Sequence, residues 1–246
     1  MLFRSIHFIS RPNTGYVIAL NEMLARSRGE FIARMDADDI AMPNRFERQM
    51  SYLADHPACV MIGSRVLIID PDGSPLTLMG EALTHEEIDS ALMAARGQMV
   101  YHPSVIIRKQ ALLQVGPYRQ EFDTAEDLDL FLRLAEIGRI ANIEEPLLKY
   151  REHTGKVGHV RAAKQAETIQ LVLEAAHRRR GRVFSREIFE SNNRVVDSSE
   201  RQRTWAWWAL LAGNVATARK HAAACLIHEP FSLETWRVLY CALRGR

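Results

Sequence analysis

The sequence predicts an α/β domain, a sheet flanked by helices, followed by an all-α C-terminal region. Three observations predict it. Strand-like and helix-like stretches alternate up to Arg151. From Arg161 onward no stretch has the character of a strand. One apolar run, Phe31-Ile32-Ala33-Arg34-Met35, ends abruptly in Asp36-Ala37-Asp38-Asp39, as a buried strand does where it leaves a sheet. Ligands of open α/β sheets bind just outside the carboxyl ends of strands.

The elements follow in order. Ile6–Ser10 is a short strand and Arg11-Pro12-Asn13-Thr14-Gly15 a turn. Val17, Leu20 and Leu24 fall at helical spacing, so a helix runs from Tyr16 to Ser27, stopped by Gly29. With the Phe31–Met35 strand this reads as strand–helix–strand, the unit of a parallel sheet. Pro43 suits the first turn of a helix reaching Asp55, with Phe46, Met50 and Leu53 inward. Ala58–Ile69 is rich in Val and Ile and reads as a strand, and Pro71-Asp72-Gly73-Ser74 turns it into a hairpin. Thr84-His85-Glu86-Glu87 has capping-box spacing and opens a helix to Ala95.

His102-Pro103-Ser104-Val105-Ile106-Ile107 enters a strand, and Lys109–Val115 is a short helix ended by Gly116-Pro117. Thr124-Ala125-Glu126-Asp127 opens a helix with Leu128, Phe131, Leu132 and Ala135 inward, ended by Gly138. Ile140–Ile143 and Leu147–Arg151 are short strands around Pro146. Helices Arg161–Arg180, Ser198–Leu211, Val215–His228 and Ser232–Leu243 make up the remainder. The last three look like a tetratricopeptide-like helical hairpin and the start of another. Their four tryptophans read as core. A boundary divides the chain into residues 1–157 and 158–246.

Composition narrows the function classes. A net charge of +2 gives no reason to expect a nucleic-acid partner. Cys59, Cys225 and Cys241 are too few and scattered for a disulfide framework or a zinc site, and read as small buried residues in a reducing compartment. No apolar run has the length of a membrane span, and the N-terminus lacks the pattern of a secretory signal, so a cytoplasmic protein is expected. The basic run His177–Arg182 reads as a solvated helix end whose cations complement the dipole. Peripheral contact with the inner face of an anionic membrane is the other reading.

Three groups of residues carry candidate chemistry. Asp36 and Asp38 differ by two positions and would face one side of an extended backbone, where they could hold a hard divalent cation and a phosphate. Asp39 would join them or cap the next helix. Glu126-Asp127 sits at a helix start, where the dipole favours an ionised carboxylate able to act as a base. Tyr150-Arg151-Glu152-His153 ends a strand, and His153 is a candidate metal or phosphate ligand. His102 is a candidate of the same kind.

Several motifs resemble a known family. They are Asn13-x-Gly15-x-x-x-Ala19-x-Asn21, Ala25-x-x-x-Gly29-Glu30-Phe31-Ile32-Ala33-x-x-Asp36-Ala37-Asp38-Asp39 and Pro43-x-Arg45-x-x-x-Gln49. After them come His102-Pro103-Ser104, Gly116-x-Tyr118, Ala125-Glu126-Asp127-x-Asp129-Leu130-x-Leu132-Arg133-Leu134 and Tyr150-Arg151-x-His153. In this order, over residues 6–155, they resemble a family-2 glycosyltransferase. The resemblance implies the GT-A fold, a mixed sheet flanked by helices. It implies sugar transfer with inversion from a nucleotide-diphospho-sugar to a hydroxyl of a saccharide or lipid-linked acceptor, with Mg²⁺ or Mn²⁺. It also implies a setting in cell-surface polysaccharide or glycolipid synthesis.

By position, Asp127 matches the catalytic base and Glu126 shapes the acceptor site. Asp38 matches the metal ligand on the diphosphate, Asp36 the acid near ribose and metal, and His153 a group near the diphosphate or metal. Asn21 lies in the segment lining the nucleotide pocket, and Arg151, in the last motif, is with Asn21 and Asp36 a candidate cofactor-binding residue. The family normally opens with a Val-Ser-Val-Ile-Ile-Pro-type strand, a helix and a second strand ending in acids. This chain is expected to start after that nucleotide-binding half and so to be N-terminally truncated. Two other readings compete. One is an inactive remnant whose C-terminal helices bind a protein partner, and the other is a sugar-phosphate nucleotidyltransferase.

Overall fold

The computed structural model describes residues 7–96, 99–153, 155–156, 161–192 and 198–245. At its centre β3 (Cys59–Ile69) and β6 (Arg139–Arg151) run parallel along ten paired positions. The order across the sheet is β1 (Phe31–Ala33), β5 (Ile106–Arg108), β3, β6, β2 (Ile40–Ala41). β4 (Pro75–Met79) pairs with the far half of β3 as a hairpin. Among the described residues every pairing except β3–β6 is antiparallel.

One face is covered by α1 (Tyr16–Arg26), α3 (His85–Met93), α4 (Lys109–Val115), α5 (Glu126–Ala135) and α6 (Ala162–Arg179). They bury Val17, Leu20, Ile88, Leu130, Phe131 and Val172 in one cluster with Met61 and Ile107 of the sheet. The predicted capping box is present: Glu87 N–H donates to Thr84 Oγ1, and the Glu87 carboxylate accepts from Thr84 N–H. The opposite face packs on α2 (Arg45–Asp55) through Leu53. Between α6 and the last helices lies α7 (Arg186–Asn192), which the sequence pattern did not suggest.

The C-terminal helices α8 (Ser198–Leu211), α9 (Val215–His228) and α10 (Leu233–Arg244) lie against the sheet. Trp205, Ala206, Ala209, Ala218, Ala222 and Val238 share one core with Val66, Ile68, Leu76 and Leu148. Trp205 is buried, whereas Trp236 is half exposed and donates Nε1–H to Pro230 O at 2.8 Å. The proposed division at residue 157 lies outside the described residues. In the basic run Arg178, Arg179 and Arg182 are exposed, but Arg179 and Arg180 have acidic partners. Both pair with Glu136, and Arg180 also grips Asp89 with two bonds of 2.8 Å.

Several expectations are corrected. Residues 7–10 form no strand, and Ile6 lies outside the described residues. The strand–helix–strand stretch is not a parallel unit, because β1 pairs antiparallel with β5 at the sheet edge. A short run of apolar residues carries no direction of pairing. β1 ends at Ala33, and the last ladder-like bond is Arg34 N–H to Val105 O at 3.0 Å.

The inward stripe of α2 is Arg45, Gln49 and Leu53, while Phe46 is exposed. The polar pair takes the inner positions because both side chains have backbone partners there. Arg45 Nη2 donates to Arg34 O at 2.8 Å, and Gln49 Nε2 donates to Ile62 O and Ser104 O at 3.1 and 2.7 Å. His102–Ser104 is a 3-10 turn before β5 rather than its first residues. The two strands expected around Pro146 are one, with register shifts opposite Arg65 that accommodate the proline.

Candidate functional site

The chain leaves β1 into a tight turn at Asp36–Asp39 and re-enters the sheet as β2. The acids are thus not on extended backbone, yet the turn gathers them: one carboxylate oxygen from each of Asp36, Asp38 and Asp39 lies within 4.8 Å of the others. Asp38 is exposed, Asp36 half-buried and Asp39 buried. Asp39 does not cap a helix. Its Oδ1 accepts the Arg151 backbone N–H at 2.8 Å, and its Oδ2 has no partner among the described residues. Burial pushes the Asp39 carboxyl up to about 6, against the pull of the Arg151 N–H and the Lys156 cation. An orphaned buried carboxylate oxygen among three hard oxygen donors fits a divalent cation of the Mg²⁺ or Mn²⁺ type.

The end of β6 closes over this turn. His153 Nε2 lies 3.3 Å from Asp38 Oδ2. Arg151 Nε donates to Asp38 O at 2.9 Å, and its Nη1 donates to Pro71 O at 2.8 Å and Asp70 O at 3.3 Å. The guanidinium therefore fastens two turns together. Lys156, which the sequence did not single out, stacks on the Tyr150 ring and lies 3.5 Å from Glu152. Burial lowers its pKa, and its charge reaches Asp39 and Asp38.

Arg34 is the other residue the sequence reading missed. Its side chain is nine-tenths buried and pairs with Asp36 Oδ1 at 2.5 Å and with the Tyr16 hydroxyl. Burial alone would lower the Arg34 pKa, but the bonds to Asp36 and Tyr16 hold it above the usual range. The same cation acts on Asp127 and on His102. The signal available was its position: a lone cation inside an apolar run that ends in acids.

Glu126 and Asp127 open α5. Thr124 delivers them from a left-handed backbone with φ 90°, a strained conformation for a β-branched residue. Three contacts hold it there. Thr124 N–H donates to Glu126 Oε2 at 3.1 Å, its hydroxyl to Thr168 Oγ1 at 3.3 Å, and its carbonyl accepts from Gln165 Nε2 at 2.9 Å. Asp127 Oδ1 accepts the Leu128 N–H at 2.8 Å. Burial raises the Asp127 pKa, and the Arg34 cation opposes this. Burial together with the neighbouring Asp127 pushes Glu126 up to about 8.

An acid with a raised folded-state pKa costs stability wherever the unfolded chain has already lost its proton. For Glu126 that window runs from its ordinary value of 4.5 up to about 8. Stability should fall through this window as pH rises, by at most about 1.4 kcal/mol per unit for one such group. Glu126→Gln keeps an acceptor for the Thr124 N–H and removes the titration. Thermal melts are expected to show the variant gaining stability over the parent from pH 5 to pH 8, and an equal difference at both pH values would refute the assignment.

Other motif residues prove to hold loops. Asn21 clasps the backbone of Tyr118: Nδ2 donates to Tyr118 O at 2.8 Å, and Oδ1 accepts Tyr118 N–H at 3.0 Å. Arg133 pairs with the buried Asp129 at 2.8 Å and donates to the carbonyls of Val115, Gly116 and Pro117. His102 is a core residue, 2.7 Å from Tyr118 Oη, and burial holds its pKa well below the usual value. Asn21→Ala strands two backbone groups and is expected to cost about 1–3 kcal/mol in urea unfolding. A change below 0.5 kcal/mol, roughly the surface-substitution range, would contradict that role.

Known proteins are similar to this chain in sequence. The model of the Glycosyl transferase family 2 domain matches residues 2–113. The chain is 31% identical over 179 residues to the amylovoran biosynthesis glycosyltransferase AmsE of Erwinia amylovora, covering 70% of this chain and 66% of that protein. It is 32% identical over 146 residues to the putative glycosyltransferase EpsE of Bacillus subtilis, covering 58% and 51%. It is 32% identical over 138 residues to the O-antigen biosynthesis glycosyltransferase WbnJ of Escherichia coli, covering 55% and 52%. The chain thus spans from half to just under two thirds of the length of these relatives. By these likenesses the chain belongs to glycosyl transferase family 2.

Proposed function

We propose that this chain transfers a sugar, with inversion, from a nucleotide-diphospho-sugar to an acceptor hydroxyl during assembly of a surface polysaccharide. The observation that carries the reading is the gathering of Asp36, Asp38 and Asp39 in one turn with His153 beside them. Asp36 pairs with Arg34, and the Arg34 charge also reaches Asp127. Asp38, Asp36 and His153 would hold a divalent cation, with the unpartnered Asp39 oxygen beside them. When bound, such an ion supplies charge neutralisation to a departing diphosphate.

The chain's own residues do the remainder. Asp127, whose burial raises its pKa against the pull of Arg34, takes the proton from the acceptor hydroxyl. Glu126, whose pKa burial and the neighbouring Asp127 raise, shapes the acceptor site beside it. The polysaccharide setting draws support from the names of two relatives, in amylovoran and O-antigen biosynthesis. Among the described residues no helix is long and apolar enough to cross a membrane.

Calorimetric titration with GDP and UDP, with and without Mn²⁺, tests the reading. Binding of at least one nucleotide that strengthens at least 10-fold with Mn²⁺ is expected. Absence of binding by either, with the ion present, would overturn it.

A further inference from the structure

The acid turn is tied to the C-terminal helices by a chain of polar contacts. At the end of β3, Asp70 is fully buried. Its Oδ1 accepts the N–H groups of Asp72 and Ser74 at 3.0 and 2.8 Å, which fixes the β3–β4 turn. Its Oδ2 accepts from two residues of α9, Lys220 Nζ at 2.6 Å and His221 Nε2 at 3.0 Å. His221 is itself held by α8, with Nδ1 2.8 Å from Gln202 Oε1 and its ring edge-on to Trp205. The carbonyls of Asp70 and Pro71 then receive the Arg151 guanidinium. The other side of that guanidinium holds Asp38 O, and the Arg151 N–H holds the Asp39 carboxylate.

We infer that His221 and Lys220 are positioning residues for the acid turn, acting through Asp70 and Arg151, so that the C-terminal helices set the geometry of the proposed cation ligands. The inference rests on the proposed reading for its link to a cation, but not for the coupling itself. Arg151 reaches Asp38 only while the Asp70–Pro71 carbonyls stay in place. Those carbonyls belong to a turn whose carboxylate anchor is shared with α9. Groups that orient metal ligands typically cost 10- to 100-fold in affinity when lost, and this path is one step longer.

The test uses the full chain and two readouts: hydrogen exchange of the amides of residues 36–41, and binding of Mn²⁺ alone followed by its electron paramagnetic resonance signal. His221→Leu and Lys220→Met are expected to speed exchange in the acid turn several-fold and to weaken Mn²⁺ about 10-fold. His221→Gln, which keeps a donor, should restore most of both. Val238→Ala destabilises the same helical core without touching the path and should leave the turn unchanged. Combining His221→Leu with Arg151→Lys should add nothing beyond Arg151→Lys, because the two share one path. Unchanged exchange in both His221→Leu and Lys220→Met, an equal rise in Val238→Ala, or additive effects in the pair would each overturn the inference. If the parent binds no Mn²⁺, the cation reading fails, and the exchange data still decide the coupling.

Discussion

Asp127→Asn is expected to lower kcat by roughly 10²- to 10⁴-fold, the usual contribution of a positioned general base. Donor binding should change by no more than about 3-fold, since uniform binding is not what a base supplies. The substitution is gentle on the fold. Asn Oδ1 can still accept the Leu128 N–H that Asp127 Oδ1 accepts at 2.8 Å. It also removes a carboxyl whose burial raises its pKa, so the melting temperature should hold or rise. In the parent the acid limb of the rate profile should lie above the ordinary carboxylate range, because the base must ionise against its burial. Asp127→Asn should lose that limb. Transfer within 5-fold of the parent would remove Asp127 from the role.

Asp38→Asn is expected to weaken Mn²⁺ by about 100-fold or more, the upper end of what losing a group that merely orients a ligand costs. Mn²⁺-dependent nucleotide binding should fall with it. Stability should barely move. The Asp38 side chain is 42% exposed, and its pairing with His153 at 3.3 Å is a surface contact. Such contacts contribute about 0–1 kcal/mol. The combination of a large loss of ion affinity with an unchanged melt separates a ligand from a structural acid. Retention of parental Mn²⁺ affinity would exclude Asp38 as a ligand.

What the sequence disclosed depended on whether a residue's partner was local. The capping box at Thr84 and Glu87, the hairpin at Pro71–Ser74 and the bounds of α4 rest on neighbours a few positions away, and all were legible. The direction of β1 was not, because its partner β5 lies some 75 positions on and three residues hold no information about it. The inward face of α2 was misread for a related reason. Hydrophobic spacing favoured Phe46, whereas the buried positions go to Arg45, whose backbone partner is the Arg34 carbonyl, and to Gln49, whose partners arrive from β3 and from residue 104.

The candidate site divides in the same way. The acids of the turn and the pair opening α5 were visible as unusual local clusters of charge. Their mutual nearness was carried only by the resemblance. Arg34 and Lys156, the two cations that balance them, were ordinary residues until the fold brought their partners in. Arg151 is found bonded to the carbonyls of Asp38 and Pro71, partners its motif did not disclose. Asn21 likewise spends both polar atoms on Tyr118.

The parallel pairing of β3 with β6 also governs when the site comes into being during folding. Residues 59–69 must find residues 139–151, and the bond from Arg151 to Asp39 spans 112 positions. Such closures are entropically costly and come late in a folding chain. Local pieces such as α2, the β3–β4 hairpin and α3 can form first. The three acids would then be present while still lacking the strand end whose Arg151 bonds Asp38 O and the Asp39 carboxylate. Their mutual repulsion is therefore met at the last step, when Arg151, His153 and Lys156 arrive together on the end of β6.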